Sequence, residues 1–292
     1  MNRALTLLVA LSLLGCRSEE NRVLMGSGRA PPLVVHAARA ADPAEFGKIV
    51  RMPAREVAAR LGAFRSAEGS QLRVTLAGKL DALDESVKLE VDGQGQWHGW
   101  RENSREAGVE AWMTGDALVV RMRYSKPVLR RAESSQADEL RENLFGDAAA
   151  YWELIERFAQ LSDEGAVQVA GRPARRVRIS LRGSPRSADE PPQPERKWRQ
   201  GVVVRALAGS ALIDQQTGVP LALAWTASYA FPKAGQQAQA EIALKRELAD
   251  VGAAIAVEAP RDAVPSPVRT RSELERRELL DGLVPDRKNG AR

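Results

Sequence analysis

Between Ala117 and Tyr124 this chain alternates. Leu118, Val120, Met122 and Tyr124 fall on one side of an extended backbone, and Arg121 and Arg123 fall on the other. Strand side chains point to opposite faces in turn, so the pattern makes one apolar face and one charged face. The same period recurs at Leu72, Val74 and Leu76, and at Val87, Leu89 and Val91. Segments 201–213, 219–231 and 238–250 read as further strands; in the last, Ile242, Leu244 and Leu248 oppose Lys245 and Glu247. "WHGW" begins another strand. Hairpin turns are expected at Thr114-Gly115-Asp116 and near Gly171-Arg172-Pro173, the second placing Val177, Ile179 and Leu181 on one face. A final short strand is expected over "AAIAVEAP". Strands with one apolar face build an antiparallel sheet covered on one side. About nine or ten strands do not lie flat, so the sheet is expected to bend strongly into an incomplete barrel.

Helical periodicity supplies the cover, making the fold class α+β. Asp42 reads as an N-cap followed by Pro43, with Phe46, Ile49 and Val50 on one face. Pro53 interrupts, and Val57, Leu61 and Phe64 continue at helical spacing. Over 137–162, Leu140, Leu144, Ala148, Tyr151, Ile155 and Phe158 predict one long helix, with Gly146 as a weak point.

Composition removes several functions. With 43 basic against 38 acidic residues the net charge is only +5, and the basic pairs are mixed with acids. No basic stripe interleaved with aromatics marks a nucleic-acid surface, so none is expected. A single cysteine and two distant histidines, His36 and His98, leave no disulfide and no metal-ligand spacing. Ser210, Ser228 and His98 lack a GxSxG context, and Glu153 and Glu156 read as solvated helix charges. The chain is expected to be no enzyme, with no catalytic residue, metal or cofactor.

The cysteine has a different use. Arg3 precedes the uncharged run "ALTLLVALSLL", too short to span a bilayer and suited to a signal-peptide core. Leu13-Leu14-Gly15-Cys16 then resembles the lipobox of bacterial lipoproteins. That resemblance implies a signal peptide over 1–15, diacylglyceryl transfer to the Cys16 thiol, and acylation of its new amine, for instance with palmitate. Two or more chains hold a protein stably on a membrane. Arg17 rather than aspartate follows the cysteine, and in the same family this implies the outer membrane, facing the periplasm. Residues 16–41 read as a lipidated flexible tether and 42–262 as the folded domain. Within the domain, the Pro-rich and charged stretch 183–197 reads as a mobile insertion loop. Residues 263–292 form a tail in which Ser272 and Glu275 box the start of a short helix over 272–283.

The folded part resembles the superfamily of bacterial lipoprotein and lipid carriers typified by LolA, LolB and LppX. The clearest likeness is "ALIDQQTGVPLALAWTASYAF" (211–231), a strand, an Asp-x-x-Thr-Gly-x-Pro turn and a strand, here Asp214, Thr217, Gly218 and Pro220. "LADVGAAIAVEAPRDA" and "TGDALVVRMRY" are further, fainter likenesses. The resemblance implies a LolA/LppX-like fold whose concave face binds lipid or an acyl chain. The aromatic usual after the central turn is replaced by Val119 and Val120. Candidate cavity residues are Trp97, Trp100, Trp112, Val120, Met122, Leu221, Leu223 and Trp225. These residues either receive a hydrophobic ligand or fill a core. In the second case the protein is an interaction lipoprotein that binds another envelope protein through the outer sheet face or the 272–283 helix.

Overall fold

The computed structural model describes residues 41–186, 201–233 and 235–266. The expected signal peptide, Cys16 and nearly all of its tether, most of the 183–197 loop and the 272–283 helix lie outside the described residues.

Helix α1 (Pro43–Val50) starts where the Asp42 carboxylate accepts from the Ala44 amide at 2.8 Å, with Pro43 in the first turn. Phe46, Ile49 and Val50 are buried. Helix α2 (Ala54–Leu61) follows Pro53 and stops at Gly62, whose φ of +81° reverses the chain. Phe64 therefore does not continue the helical stripe. It opens the first strand and reaches the core from there.

Six strands follow: β1 (Phe64–Leu76), β2 (Lys79–Val91), β3 (Trp97–Asn103), β4 (Gly108–Thr114), β5 (Ala117–Met122) and β6 (Val128–Arg131). The expected long helix is two helices, α3 (Ser134–Phe145) and α4 (Asp147–Ile155), then a 3-10 turn at Glu156–Phe158. The break falls at Gly146 (φ −110°, ψ 39°), where an added Cβ would stand 2.5 Å from the Glu142 carbonyl oxygen. Residues 159–162, expected to end that helix, instead begin β7 (Ala159–Val169). Then come β8 (Arg172–Leu181), β9 (Val203–Asp214), β10 (Pro220–Lys233), β11 (Gln236–Ala249) and β12 (Val264–Pro265).

All twelve strands form one sheet, in the order β12-β6-β5-β4-β3-β2-β1-β11-β10-β9-β8-β7. Every pairing is antiparallel except β12 with β6. The strand count corrects the expectation of nine or ten. Residues 253–260, expected as a strand, have no regular structure. Both sides of β11 are already taken by β1 and β10. The outgoing chain finds a ladder only at the free side of β6.

The sheet is long, curved and unclosed. Its curvature can be read from the core. Met113 of β4 and Ala174 of β8 belong to one buried cluster, although they stand seven places apart in strand order. In a flat sheet those strands would be roughly 34 Å apart at ~4.8 Å spacing. Helix α2 lies in the same cluster through Ala54, Val57 and Leu61. Eight residues of helix reach only about 12 Å, so the sheet must bend to bring both sides to it. A second cluster packs α1 and α4 on β7–β11 through Phe46, Trp152, Ile155, Ile179, Leu223 and Trp225.

Candidate functional site

The β9–β10 turn anchors the cover. Asp214 is fully buried, and its Oδ1 accepts from the Gln216 amide, the Thr217 amide and the Thr217 hydroxyl at 2.8–2.9 Å. Its Oδ2 accepts from Arg172 Nε at 2.7 Å. Burial alone would raise the Asp214 pKa, but Arg172 and Thr217 outweigh it and hold the carboxyl below its ordinary value. Gly218 takes φ +71°, as the reversal requires. Arg60 of α2 donates to the Thr217 carbonyl at 2.7 Å, so the helix docks on the turn itself.

The eight cavity candidates separate by strand phase. Trp97, Val120, Leu221, Leu223 and Trp225 lie on the helix-covered face. Trp97 meets Phe145 edge-on at 6.1 Å, with the Arg141 guanidinium 5.9 Å from its ring. Trp225 meets Trp152 of α4 at 5.8 Å, and Trp152 meets Phe46 of α1 at 4.8 Å. Met122 is in the same phase but stands at the end of its strand, 58% exposed. Trp100 and Trp112 are on the opposite, outer face, because their positions alternate with Trp97 and Met113. There Trp112 stacks parallel on His98 at 4.8 Å beneath Arg121, and Lys88 lies over Trp100. His98 Nε2 in turn lies 2.9 Å from Glu110.

A set of buried and half-buried polar residues between the two apolar clusters escaped the sequence reading. Glu68 and Ser70 are in phase with Leu72 and Val74, Glu85 with Val87, Arg101 with Trp97, and Arg246 with Leu244. On four neighbouring strands, a charge therefore occupies a position where the apolar stripe would continue. In the ladders Glu68 stands opposite Arg246 and Val87, Glu85 opposite Ser70, and Arg101 opposite Val87. The alternation itself carried the signal. A charged residue in phase with an apolar stripe is inward-facing and needs a partner.

Helix α4 closes over this seam. Arg101 reaches Glu85 at 2.8 Å, Asp147 at 2.9 Å and the Leu144 carbonyl at 3.1 Å. Burial would lower the Arg101 pKa, but Asp147 and Glu85 outweigh it and hold the charge firmly. Tyr151 shares a hydrogen bond with Ser70, and burial holds its hydroxyl un-ionised well above the ordinary value. Asp147 is pushed up to about 6 by burial, against the pull of Arg101. Glu68 is 6% exposed, its carboxyl faces the Ala148 amide in the first turn of α4, and among the described residues no side chain meets it at hydrogen-bond distance. Burial pushes it up to about 8, and the nearby charge of Arg246 offsets only part of that. Burial also lowers the Arg246 pKa.

Concavities open to solvent at two places among the described residues. One, of about 670 Å³, lies where the β4–β5 hairpin meets the start of α3, between Asp116, Arg131, Glu133 and Ser134. The other, of about 660 Å³, is lined on the outer sheet face by small residues that include Gly69, Ser210, Ala224 and Thr226. The inner face, by contrast, is occupied by Trp97, Trp152 and Trp225, each 2% exposed or less.

No family model matches the chain, and no curated protein matches it. Solved structures similar to it include the lipoprotein LppX of Mycobacterium tuberculosis, at 14% identity over 74% of this chain and 100% of that one, with a TM-score of 0.32. LprF of Mycobacterium bovis is similar at 10% identity over 74% and 97%, with a TM-score of 0.27. A LolA-superfamily protein of Nitrosomonas europaea is similar at 11% identity over 77% and 96%, with a TM-score of 0.21.

Proposed function

We propose that this chain is a non-enzymatic lipoprotein of the bacterial envelope, anchored by acyl chains on Cys16, whose domain over 42–262 binds a lipid or acyl chain. The ligand lies against the inner face of the bent sheet. One observation carries the reading. Among the described residues, a twelve-stranded sheet with an apolar inner face is covered by four helices, of 8, 8, 12 and 9 residues. Sheet ladders are cooperative, whereas helices this short are marginal and depend on packing. The cover is therefore the part that moves. Lifting α4 about Gly146, together with the α1 face packed on it, uncovers Leu223, Trp225 and Leu244, and a ligand regains the lost burial at roughly 25 cal/mol per Å².

A second reading has its own support. With Trp97, Trp152 and Trp225 fully packed, the closed form is already filled. A protein that never opens would act as a docking scaffold for another envelope protein. Native mass spectrometry of the protein purified from its own envelope separates the two. A co-purifying lipid of discrete mass is expected, and a bare protein mass with no lipid uptake favours the scaffold. The anchor is tested by labelled palmitate, which enters the wild type and not Cys16→Ser.

A further inference from the structure

We infer that the strand ends at one end of the sheet form a docking rim for the surface of an anionic phospholipid bilayer, so that the domain rests against the membrane holding its anchor. This rests on the reading of Cys16 as the anchor and is independent of any ligand on the inner face. Five large apolar side chains are exposed among the described residues: Leu80, Met122, Tyr124, Val203 and Val264, from 42% to 82%. All five stand at the same end of the sheet. Leu80 follows the β1–β2 turn, Met122 and Tyr124 lie at the β5–β6 turn, Val203 opens β9, and Val264 pairs with Val128 at the start of β6. The ladders fix this, because β1, β5 and β10 run toward that end while β2, β6 and β9 run away from it. Exposed apolar side chains scattered singly are ordinary, but confinement of all of them to one rim is not.

Charge divides the molecule the same way. At the opposite end, the β2–β3, β4–β5 and β9–β10 turns and the turn after β11 carry Asp92, Asp116, Asp214 and Asp250 and no basic residue. At the apolar end, Lys79, Lys126 and Lys233 are exposed beside the turns. Of the acids there, Asp81 is paired with Arg105, Glu102 lies 3.7 Å from Arg123, and Glu106 offsets one lysine. Lysine stems lie along apolar surface while their ammonium groups reach anionic head groups, and tyrosine favours the water–lipid boundary. A protein partner would call for a contiguous, packed apolar centre, whereas separate side chains on turn tips suit shallow insertion into a fluid surface. The chain also enters from this end. Asp42, just before α1, acts on the charge of Arg186, whose amide donates to the Arg157 carbonyl at 2.8 Å. Arg157 shortly precedes β7, which starts opposite the end of β8 at the same rim. The expected tether over 17–41 thus meets the domain where the bilayer would touch it. A coil of that length averages roughly 28 Å, short enough to keep the rim close to the membrane.

The test uses the full chain purified from its envelope and reconstituted into vesicles of phosphatidylcholine, with or without phosphatidylglycerol. With Cys16 blocked by its thioether, a single introduced cysteine is the one free thiol. Leu80→Cys and Tyr124→Cys place an environment-sensitive fluorophore on the rim, and Gln94→Cys places it at the opposite end. All three positions are exposed, so the fold is spared. Quenching by nitroxide-bearing lipid should be at least threefold greater at 80 and 124 than at 94 when phosphatidylglycerol is present. It should fall at least twofold without the anionic lipid, in high salt, and in the triple variant Lys79→Glu, Lys126→Glu, Lys233→Glu. Equal quenching at all three positions, or quenching indifferent to charge, overturns the inference. Rim labels shielded from lipid nitroxide and aqueous iodide alike would mean that a protein covers this end, which also overturns it. A chain that floats with the vesicles while its rim stays open to iodide overturns the docking alone. A chain that neither floats nor carries acyl groups overturns the anchor reading with it.

Discussion

Trp152 on α4 stands edge-on to Trp225 on β10, ring centroids 5.8 Å apart, and neither ring is exposed beyond 2%. This contact is where the helical cover is seated on the sheet. It is the largest apolar object a ligand must displace. Trp152→Ala removes it and leaves a void, which should destabilise the fold by about 3–5 kcal/mol. The urea midpoint should fall accordingly. If the inner face takes ligands, uptake of an apolar dye should rise in the same variant, because the plug is gone. Dye uptake that stays at the wild-type level would favour the scaffold reading.

The seam makes stability depend on pH in a stated direction. Glu68 lies at about 8 in the folded chain against 4.5 ordinarily, and Asp147 at about 6 against 3.8. Both values are raised, so the folded state binds protons that the unfolded chain has released. Their stabilisation is complete below the ordinary values and is lost as pH rises through about 6 and then about 8. Chemical denaturation between pH 5 and 8.5 should show a falling midpoint. Glu68→Gln cannot ionise and should flatten the upper part of that fall. A midpoint that climbs across the range contradicts the assignment.

Asp214 should behave in the opposite sense, since its partners hold its pKa below the ordinary value. Replacing it by alanine strips three donors of the turn and leaves Arg172 without its partner. Charge-assisted bonds of this kind are worth about 1.5–3 kcal/mol each in mutational series, and they overlap within one carboxylate. A loss of about 3 kcal/mol is expected. Because Arg60 docks on the same turn, hydrogen exchange should quicken in α2 as well as in the β9–β10 hairpin. Exchange that changes in the hairpin alone would separate α2 from the turn.

Gly99 should resist any side chain. An added Cβ would fall within the Phe145 ring at the end of α3. Gly99→Ala is expected to lower stability by about 1–3 kcal/mol through overpacking. The pair Gly99→Ala with Phe145→Leu should recover part of that loss in thermal unfolding. A double variant no more stable than the single one would place the fault elsewhere than at the ring.

Much of this was legible in the sequence, for local reasons. Period-two stripes fixed β9, β10 and β11 to within two residues, because a half-buried strand must alternate whatever its neighbours are. The Asp42–Pro43 start of α1 and the Asp214–Pro220 turn were equally plain, since caps and turns are built from residues adjacent in the chain. The Gly146 break was half visible. Glycine weakens a helix wherever it stands, but whether the helix bends or continues depends on what α4 packs against.

The amino-acid order alone determined an antiparallel sheet with one covered face, its main turns and the chain's charge balance. It did not determine which inward positions meet. Trp97 and Trp100 look alike as letters, and only their phase against Met113 and Glu110 sends one to the core and the other to the outer face. Glu68, Glu85, Arg101 and Arg246 lie far apart in the chain and become a single seam only when β11, β1, β2 and β3 align side by side. Register and curvature come from contacts distant in sequence, and those contacts decide whether a buried charge finds a partner.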